Sequence, residues 1–175
     1  MRSEYVIEEE VNHILAALTP ENRLVMRTAL HTGLRIGDIL VLKPEQLKQR
    51  FSIVEAKTGK KRVVSLTADL LEDLQRNANS HWVFPGRDGK EHRTRQAVWK
   101  DVKRAAKAFR MPQNVSPHSA RKIYAVDLMA KYGDLKRVRR ALNHDNEATT
   151  MIYALADHQL AAKNASKSKK RKGRS

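Results

Sequence analysis

Apolar side chains recur at three- and four-residue intervals along most of the chain, and this spacing limits the fold more than any other feature. Val11, Ile14, Leu15 and Leu18 fall on one helical face. The same holds for Val98, Val102, Ala105 and Phe109, for Ile123, Val126 and Ala130, and for Leu135, Val138 and Leu142. Thr19-Pro20 predicts an N-cap with proline at the first helical position, a helix running to about His31, and Gly33 as its stop. Ser116-Pro117 predicts a second start of the same kind, and further helices are expected from about Thr67 and near Glu147. The period changes around Lys57-Thr58-Gly59-Lys60. Phe51–Ala56 and Arg62–Leu66 are β-branched or apolar runs flanking that stretch, which predicts an antiparallel hairpin with a Gly-bearing turn. His81–Gly86, ending in Pro85-Gly86, is a candidate third short strand. The fold class expected is mixed, mainly α with a small antiparallel β-sheet.

At 175 residues, with no internal repeat and no Gly, Ser or Pro linker before residue 163, the chain is expected to form one domain over residues 1–162. Residues 163–175 carry seven basic side chains, no acidic one and no large apolar one, which predicts a disordered basic tail. That tail is either a solvated charge run or a polybasic arm adding nonspecific phosphate contacts. The whole chain has a net charge of +16, and residues 1–162 keep +9, with 28 basic against 19 acidic residues. Such a surplus attracts polyanions, so the expected partner is nucleic acid. There is no cysteine for a disulfide or thiolate cage, and the seven histidines lack H-E-x-x-H spacing, so no structural metal is expected. No apolar run approaches the ~20 residues that cross a bilayer, and the first twenty residues are acidic rather than leader-like. A soluble, unsecreted chain is expected.

Spacing adds candidates for chemistry. His118 and Arg121 stand at i and i+3 on the first turn of a helix, where backbone N–H groups also favour an anion. That pair alone could be an ordinary surface His and Arg after a Ser-Pro cap, and other polar or aromatic residues taken singly have equally plain readings. Arg35 could satisfy carbonyls at a helix end, Lys57 could be a solvated turn lysine, His144 could cap a helix, and Tyr153 could be a half-buried aromatic like Tyr5, Tyr124 and Tyr132.

Taken together, these segments resemble the catalytic domain of the tyrosine recombinases, the phage integrase family. Thr32-Gly33-Leu34-Arg35-Ile36-Gly37-Asp38-Ile39-Leu40 is similar to the family's first arginine box, with an acidic residue three positions after the arginine. Lys57-Thr58-Gly59-Lys60, with Arg62-Val63-Val64-Ser65-Leu66 behind it, resembles the hairpin bearing the family's lysine. His118-Ser119-Ala120-Arg121 resembles the H-x-x-R box, Leu142-Asn143-His144 the L-G-H box, and Tyr153 follows His144 by nine residues. The likeness runs from about Ala16 to Ala156. It implies the DNA breaking-rejoining fold and a site-specific recombinase of the integrase or invertase type. Six catalytic residues are carried over: Arg35, Lys57, His118, Arg121, His144 and Tyr153.

The chemistry implied by the resemblance explains the residue types. Attack by the Tyr153 oxygen on DNA would form a 3′-phosphotyrosine and free a 5′ hydroxyl, conserving the bond energy, so neither ATP nor another cofactor is needed. A phenol with a pKa of ~10 needs a base, the role assigned to His118. Arg35 and Arg121 match the non-bridging phosphate oxygens with forked donors, His144 adds a hydrogen bond there, and Lys57 protonates the departing 5′ oxygen. The two arginines and the lysine supply the charge that a metal ion gives many phosphoryl-transfer enzymes.

Three departures stand out: Asn143 where glycine is usual, Ala120 where leucine is usual, and only about fifteen residues before the first matching helix. The last implies either a minimal enzyme or a fragment lacking a core-binding domain. The partners implied are double-stranded DNA and a homo-tetramer on two DNA sites, with accessory DNA-bending proteins possible and no membrane. The place implied is the cytoplasm and nucleoid of a bacterial or phage-infected cell. The rival expectation is a catalytically inactive, accessory DNA-binding protein derived from a recombinase. A basic RNA-binding protein is a weaker third, since no RNA-reading motif occurs.

Overall fold

The computed structural model describes residues 8–111 and 115–142. His144, Tyr153, the helix expected near Glu147 and the tail 163–175 lie outside them. The chain divides into two compact units, the division falling within one helix after Tyr124.

The first unit is built around α2 (Pro20–Thr32), against which α1 (Glu8–Ala17), α3 (Ile36–Leu40), α4 (Ala68–Asn77) and α5 (Arg95–Ala108) all pack. Its central position follows from its sequence, since Leu24, Val25, Met26 and Ala29 are buried together with the small polar residues Thr28 and Thr32. The two threonines turn their hydroxyls back onto the carbonyls of Leu24 and Thr28, at 2.8 and 2.6 Å, so neither leaves an unpaired polar group. Leu34, Ile39, Leu40, Leu74, Val83, Phe84, Val98 and Val102 complete a core with almost no solvent access.

The helix starts follow their punctuation. Pro20 opens α2 and Thr19 is its N-cap residue, yet the Thr19 side chain makes no bond to its own helix. Its N–H and hydroxyl instead donate to Asp101 on α5, at 3.0 and 3.1 Å, and Asn22 donates to the same carboxylate oxygen at 2.8 Å. A buried carboxylate borrowed from α5 therefore tethers the N-terminus of α2. Burial pushes the Asp101 carboxyl up, but the donors from Asn22, Thr19 and Arg104 outweigh it and hold the group below its usual range.

The expected hairpin is present as β1 (Arg50–Val54) and β2 (Lys61–Ser65), antiparallel, with Phe51 opposite Val64 and Ile53 opposite Arg62. Alternation buries Phe51 and Ile53 from one strand and Arg62 and Val64 from the other. The third strand expected at His81–Gly86 does not form. Among the described residues the sheet has two strands, and Pro85 makes only an isolated bridge with His92. Proline has no N–H with which to extend a ladder, and Gly86 turns the chain so that its N–H meets the Glu91 carbonyl at 2.7 Å. Val83 and Phe84 are buried without being strand residues.

Ser116 precedes α6 (Pro117–Tyr132) as its sequence indicated. The Ser119 hydroxyl accepts from the Ser116 N–H at 3.2 Å while the Ser119 N–H donates to the Ser116 carbonyl at 2.8 Å. In the second unit α7 (Leu135–Leu142) buries Val138 and Leu142 and exposes Lys136, Arg137 and Arg140. The Arg137 guanidinium lies 3.6 Å over the exposed Tyr132 ring.

Candidate active site

The end of α2 organises the site. Helix C-termini leave carbonyls unpaired and carry partial negative charge, so cationic donors gather there. Gly33, in the left-handed region at φ +63°, turns the chain out of the helix, its N–H closing on the Ala29 carbonyl at 2.8 Å. Glycine is required there twice over. A Cβ would be strained by φ, and it would lie 2.1 Å from Cδ1 of Tyr124.

Two arginines from distant parts of the chain converge on the Gly33 carbonyl. Arg121, buried on the first turns of α6, donates to it, and so does Arg62 on β2, at 3.2 Å. Arg62 also donates to the Thr32 carbonyl, and its guanidinium lies 5.9 Å from the centre of the Tyr124 ring. The helix-end role open to Arg35 is thus filled by Arg62 and Arg121.

Arg35 lies two residues beyond Gly33 and begins α3, its carbonyl accepting from the N–H groups of Asp38 and Ile39 at 2.9 and 3.1 Å. Its largely buried guanidinium donates to Oε2 of Glu55 at 2.8 Å. Glu55 has no solvent exposure; the Thr58 hydroxyl donates to the same oxygen at 3.1 Å, and Arg62 pairs with Oε1 at 3.3 Å. Burial pushes the Glu55 carboxyl up. The charge and hydrogen bond of Arg35, the Thr58 hydroxyl and the charge of Arg121 outweigh that and leave it below its usual range.

Lys57 sits exposed in the turn after β1. Its neighbours on both sides are anchored. The Ala56 N–H donates to Asp38 on α3 at 2.9 Å, and Thr58 reaches Glu55 as described. The lysine is therefore carried on a turn pinned to the element that begins with Arg35. His118 is exposed at the second position of α6, three residues before Arg121. Ala120 is fully buried, so the smaller residue at that position is accommodated inside the core.

Of the six residues singled out in the sequence, the structure thus joins Arg35 and Arg121 through a buried set of ion pairs and carbonyls. It also sets Lys57 on the turn beside that set and His118 on the helix of Arg121, while His144 and Tyr153 lie outside the described residues. Sequence reasoning passed over Glu55 and Arg62. The signal was the period of two, which puts Glu55 on the face of Phe51 and Ile53 and Arg62 on the face of Val64 and Leu66. Opposite charges on one inner face, at the turn end of a hairpin, mark a buried pair.

Comparison with known proteins agrees with this architecture. The sequence profile of the Phage integrase family matches residues 4–159. A putative integrase/recombinase of Sinorhizobium fredii is 31% identical over 153 residues, covering 83% of this chain and 50% of that protein. Tyrosine recombinase XerD of Rhizobium meliloti is 32% identical over 133 residues, 70% of this chain and 43% of the relative. The chain thus spans about half the length of the curated relatives it matches. Among solved structures, XerA recombinase superposes with a TM-score of 0.68 at 19% identity, covering 93% of this chain and 66% of that one. A lambda integrase dimer bound to a COC′ core site gives 0.70 at 23% identity, with 86% and 59% covered. These two share the fold. With its profile match spanning nearly the whole chain, the protein belongs to the phage integrase family of tyrosine recombinases.

Proposed function

We propose that this chain is a site-specific DNA strand transferase, with Tyr153 as the nucleophile, Arg35 and Arg121 as the phosphate clamps, His118 as the base, Lys57 as the acid toward the leaving 5′ oxygen, and His144 as a further phosphate donor. The observation that carries the reading is the junction of Arg35 with Arg121. Residues 86 apart in the sequence are tied to one buried Glu55–Arg62 pair and one carbonyl. Fixed guanidiniums stabilise charge that builds on phosphate oxygens without reorganising at the moment of reaction. Losing one should slow cleavage on the order of 10²- to 10³-fold.

Tyr153 attacks phosphorus, its proton passing to His118; the bond to the 5′ oxygen breaks and that oxygen takes a proton from Lys57. Rejoining reverses each transfer, so the sequence of steps balances with no oxidant, nucleotide or metal. Double-stranded DNA is the substrate, in keeping with the +16 charge of the chain. Assembly as a homo-tetramer on two sites, exchange of residues 154–162 between neighbours, help from DNA-bending proteins, and action at the nucleoid belong to the same reading. No helix among the described residues is long and apolar enough to cross a membrane.

The test mixes the protein with supercoiled DNA carrying the region around its own gene, in EDTA, and looks after rapid denaturation for protein covalently attached to DNA. An adduct with wild type that vanishes in Tyr153→Phe supports the mechanism. Tight binding with no adduct from either protein, on supercoiled or nicked trapping DNA, would instead mark the chain as a noncatalytic DNA-binding protein.

A further inference from the structure

We infer that Glu55 and Arg62 form a positioning pair that sets the poses of Arg35 and Arg121, an inference that rests on the reading of those two arginines as phosphate clamps. Neither member of the pair touches the reacting phosphate in this scheme. Each acts through a clamp. Glu55 holds Arg35 at 2.8 Å through Oε2 and Arg62 at 3.3 Å through Oε1, and Arg62 shares the Gly33 carbonyl with Arg121. The result is a continuous chain of contacts, Arg35 to Glu55 to Arg62 to the Gly33 carbonyl to Arg121, spanning α3, the hairpin, the end of α2 and α6.

Stability alone does not account for this pair. The side chain of Glu55 has no solvent exposure and that of Arg62 only 7%, and they continue the inner faces on which Phe51, Ile53, Val64 and Leu66 are buried. Apolar residues would complete that face without the desolvation of two charges, and buried ion pairs replaced by well-packed apolar groups are commonly neutral or better for stability. Beyond the caps that Arg62 places on the Thr32 and Gly33 carbonyls, two things are supplied by the ions and not by Ile or Leu. One is a directional acceptor for Arg35, beside an Arg62 guanidinium fixed on the same carbonyl that Arg121 uses. The other is a negative charge amid three guanidiniums, which would otherwise repel one another in a poorly solvated place. The Thr58 hydroxyl, at 3.1 Å from Oε2, ties the same carboxylate to the turn that carries Lys57. Glu55 is thereby linked to three of the six proposed catalytic residues.

The experiment measures single-turnover cleavage of a nicked trapping substrate and, separately, substrate Kd, using the full chain. Variants are Glu55→Gln, the charge-neutral double variant Glu55→Gln/Arg62→Met, Arg35→Ala, and Glu55→Gln in the Arg35→Ala background. The pair predicts a cleavage rate constant lowered about 10- to 100-fold in Glu55→Gln with Kd changed less than about threefold, and less than about twofold further loss when Arg35 is already gone. The double variant guards against a folding defect, because it removes one charge of each sign and so leaves the net charge of the buried cluster unchanged. It should stay folded and still cleave slowly. A merely structural role would lower the amplitude and the unfolding temperature together and leave the rate constant of the bound fraction unchanged; that result overturns the inference. If the double variant folds and cleaves at the wild-type rate while Arg35→Ala is slow, the pair is refuted and the clamp reading stands. If Arg35→Ala itself cleaves normally, both fall together.

Discussion

Replacing Gly33 with alanine should destabilise the protein through two separable effects. The backbone at φ +63° costs an L-residue about 1 to 2 kcal/mol. The new methyl would lie 2.1 Å from Cδ1 and 2.4 Å from Cε1 of Tyr124, far inside contact distance, so the ring or the α2 terminus must shift at a cost of about 1 to 3 kcal/mol. The sum is about 2 to 5 kcal/mol, a large part of the stability of an ordinary domain. Urea unfolding of Gly33→Ala against wild type measures it. The same substitution in a Tyr124→Ala background separates the parts, because the steric share disappears and only the backbone share of about 1 to 2 kcal/mol remains. Equal losses in both backgrounds, or a loss under about 0.5 kcal/mol in the first, would refute the claim that this glycine is fixed by its turn and by the Tyr124 ring together.

Three further outcomes follow from the contacts. Asp101→Ala strands donors on Thr19 and Asn22 and should cost about 2 to 3 kcal/mol in urea unfolding, with Asp101→Asn milder; equal, negligible losses would count against the tether at the start of α2. Glu55 and Asp101 both have carboxyls held below their usual range, so each contributes stability that is complete above the ordinary carboxylate value of about 4 and is lost as pH falls through the lower folded value. The urea midpoint should therefore hold between pH 7 and 5 and drop on the acid side of 4, whereas a decline already under way at pH 6 would contradict the assignment. Deleting residues 163–175 removes seven cations and should flatten the salt dependence of DNA binding without altering which site is preferred. A changed site preference would give the tail a role in base reading that phosphate contacts alone do not confer.

Much of this architecture is legible in the sequence because local rules and burial agree. Thr19-Pro20 and Gly33 bracket α2 as their backbone preferences demand, and the turn around Gly59 separates two runs whose alternation fixes their inner faces. Agreement fails where a distant residue decides. The Thr19 hydroxyl makes no cap bond to its own helix and is turned instead toward Asp101, 82 positions away, to which it donates. The apolar His81–Phe84 run lacks a strand partner, so its hydrophobicity leads to burial without a ladder. The short helix α3 is hidden inside the arginine box, where five residues are too few for a helical period to emerge. The candidate site divides the same way. The family resemblance singles out Arg35, Lys57, His118 and Arg121, whereas the Glu55–Arg62 pair between them is masked because charged side chains are so seldom fully buried. His118 and Arg121 share a helix, so their i, i+3 spacing places them on one face without placing them in a site. The junction of Arg35 with Arg121 requires the fold.

The central claim is that two arginines held by this framework stabilise the phosphate during strand transfer. The most direct test is the single-turnover rate of covalent adduct formation on a nicked trapping substrate in EDTA, comparing wild type with Arg35→Ala and Arg121→Ala at saturating protein. The account predicts that each variant still binds the DNA within a few-fold of wild type and forms the Tyr153 adduct on the order of 10²- to 10³-fold more slowly. Adduct formation at the wild-type rate in either variant would contradict it.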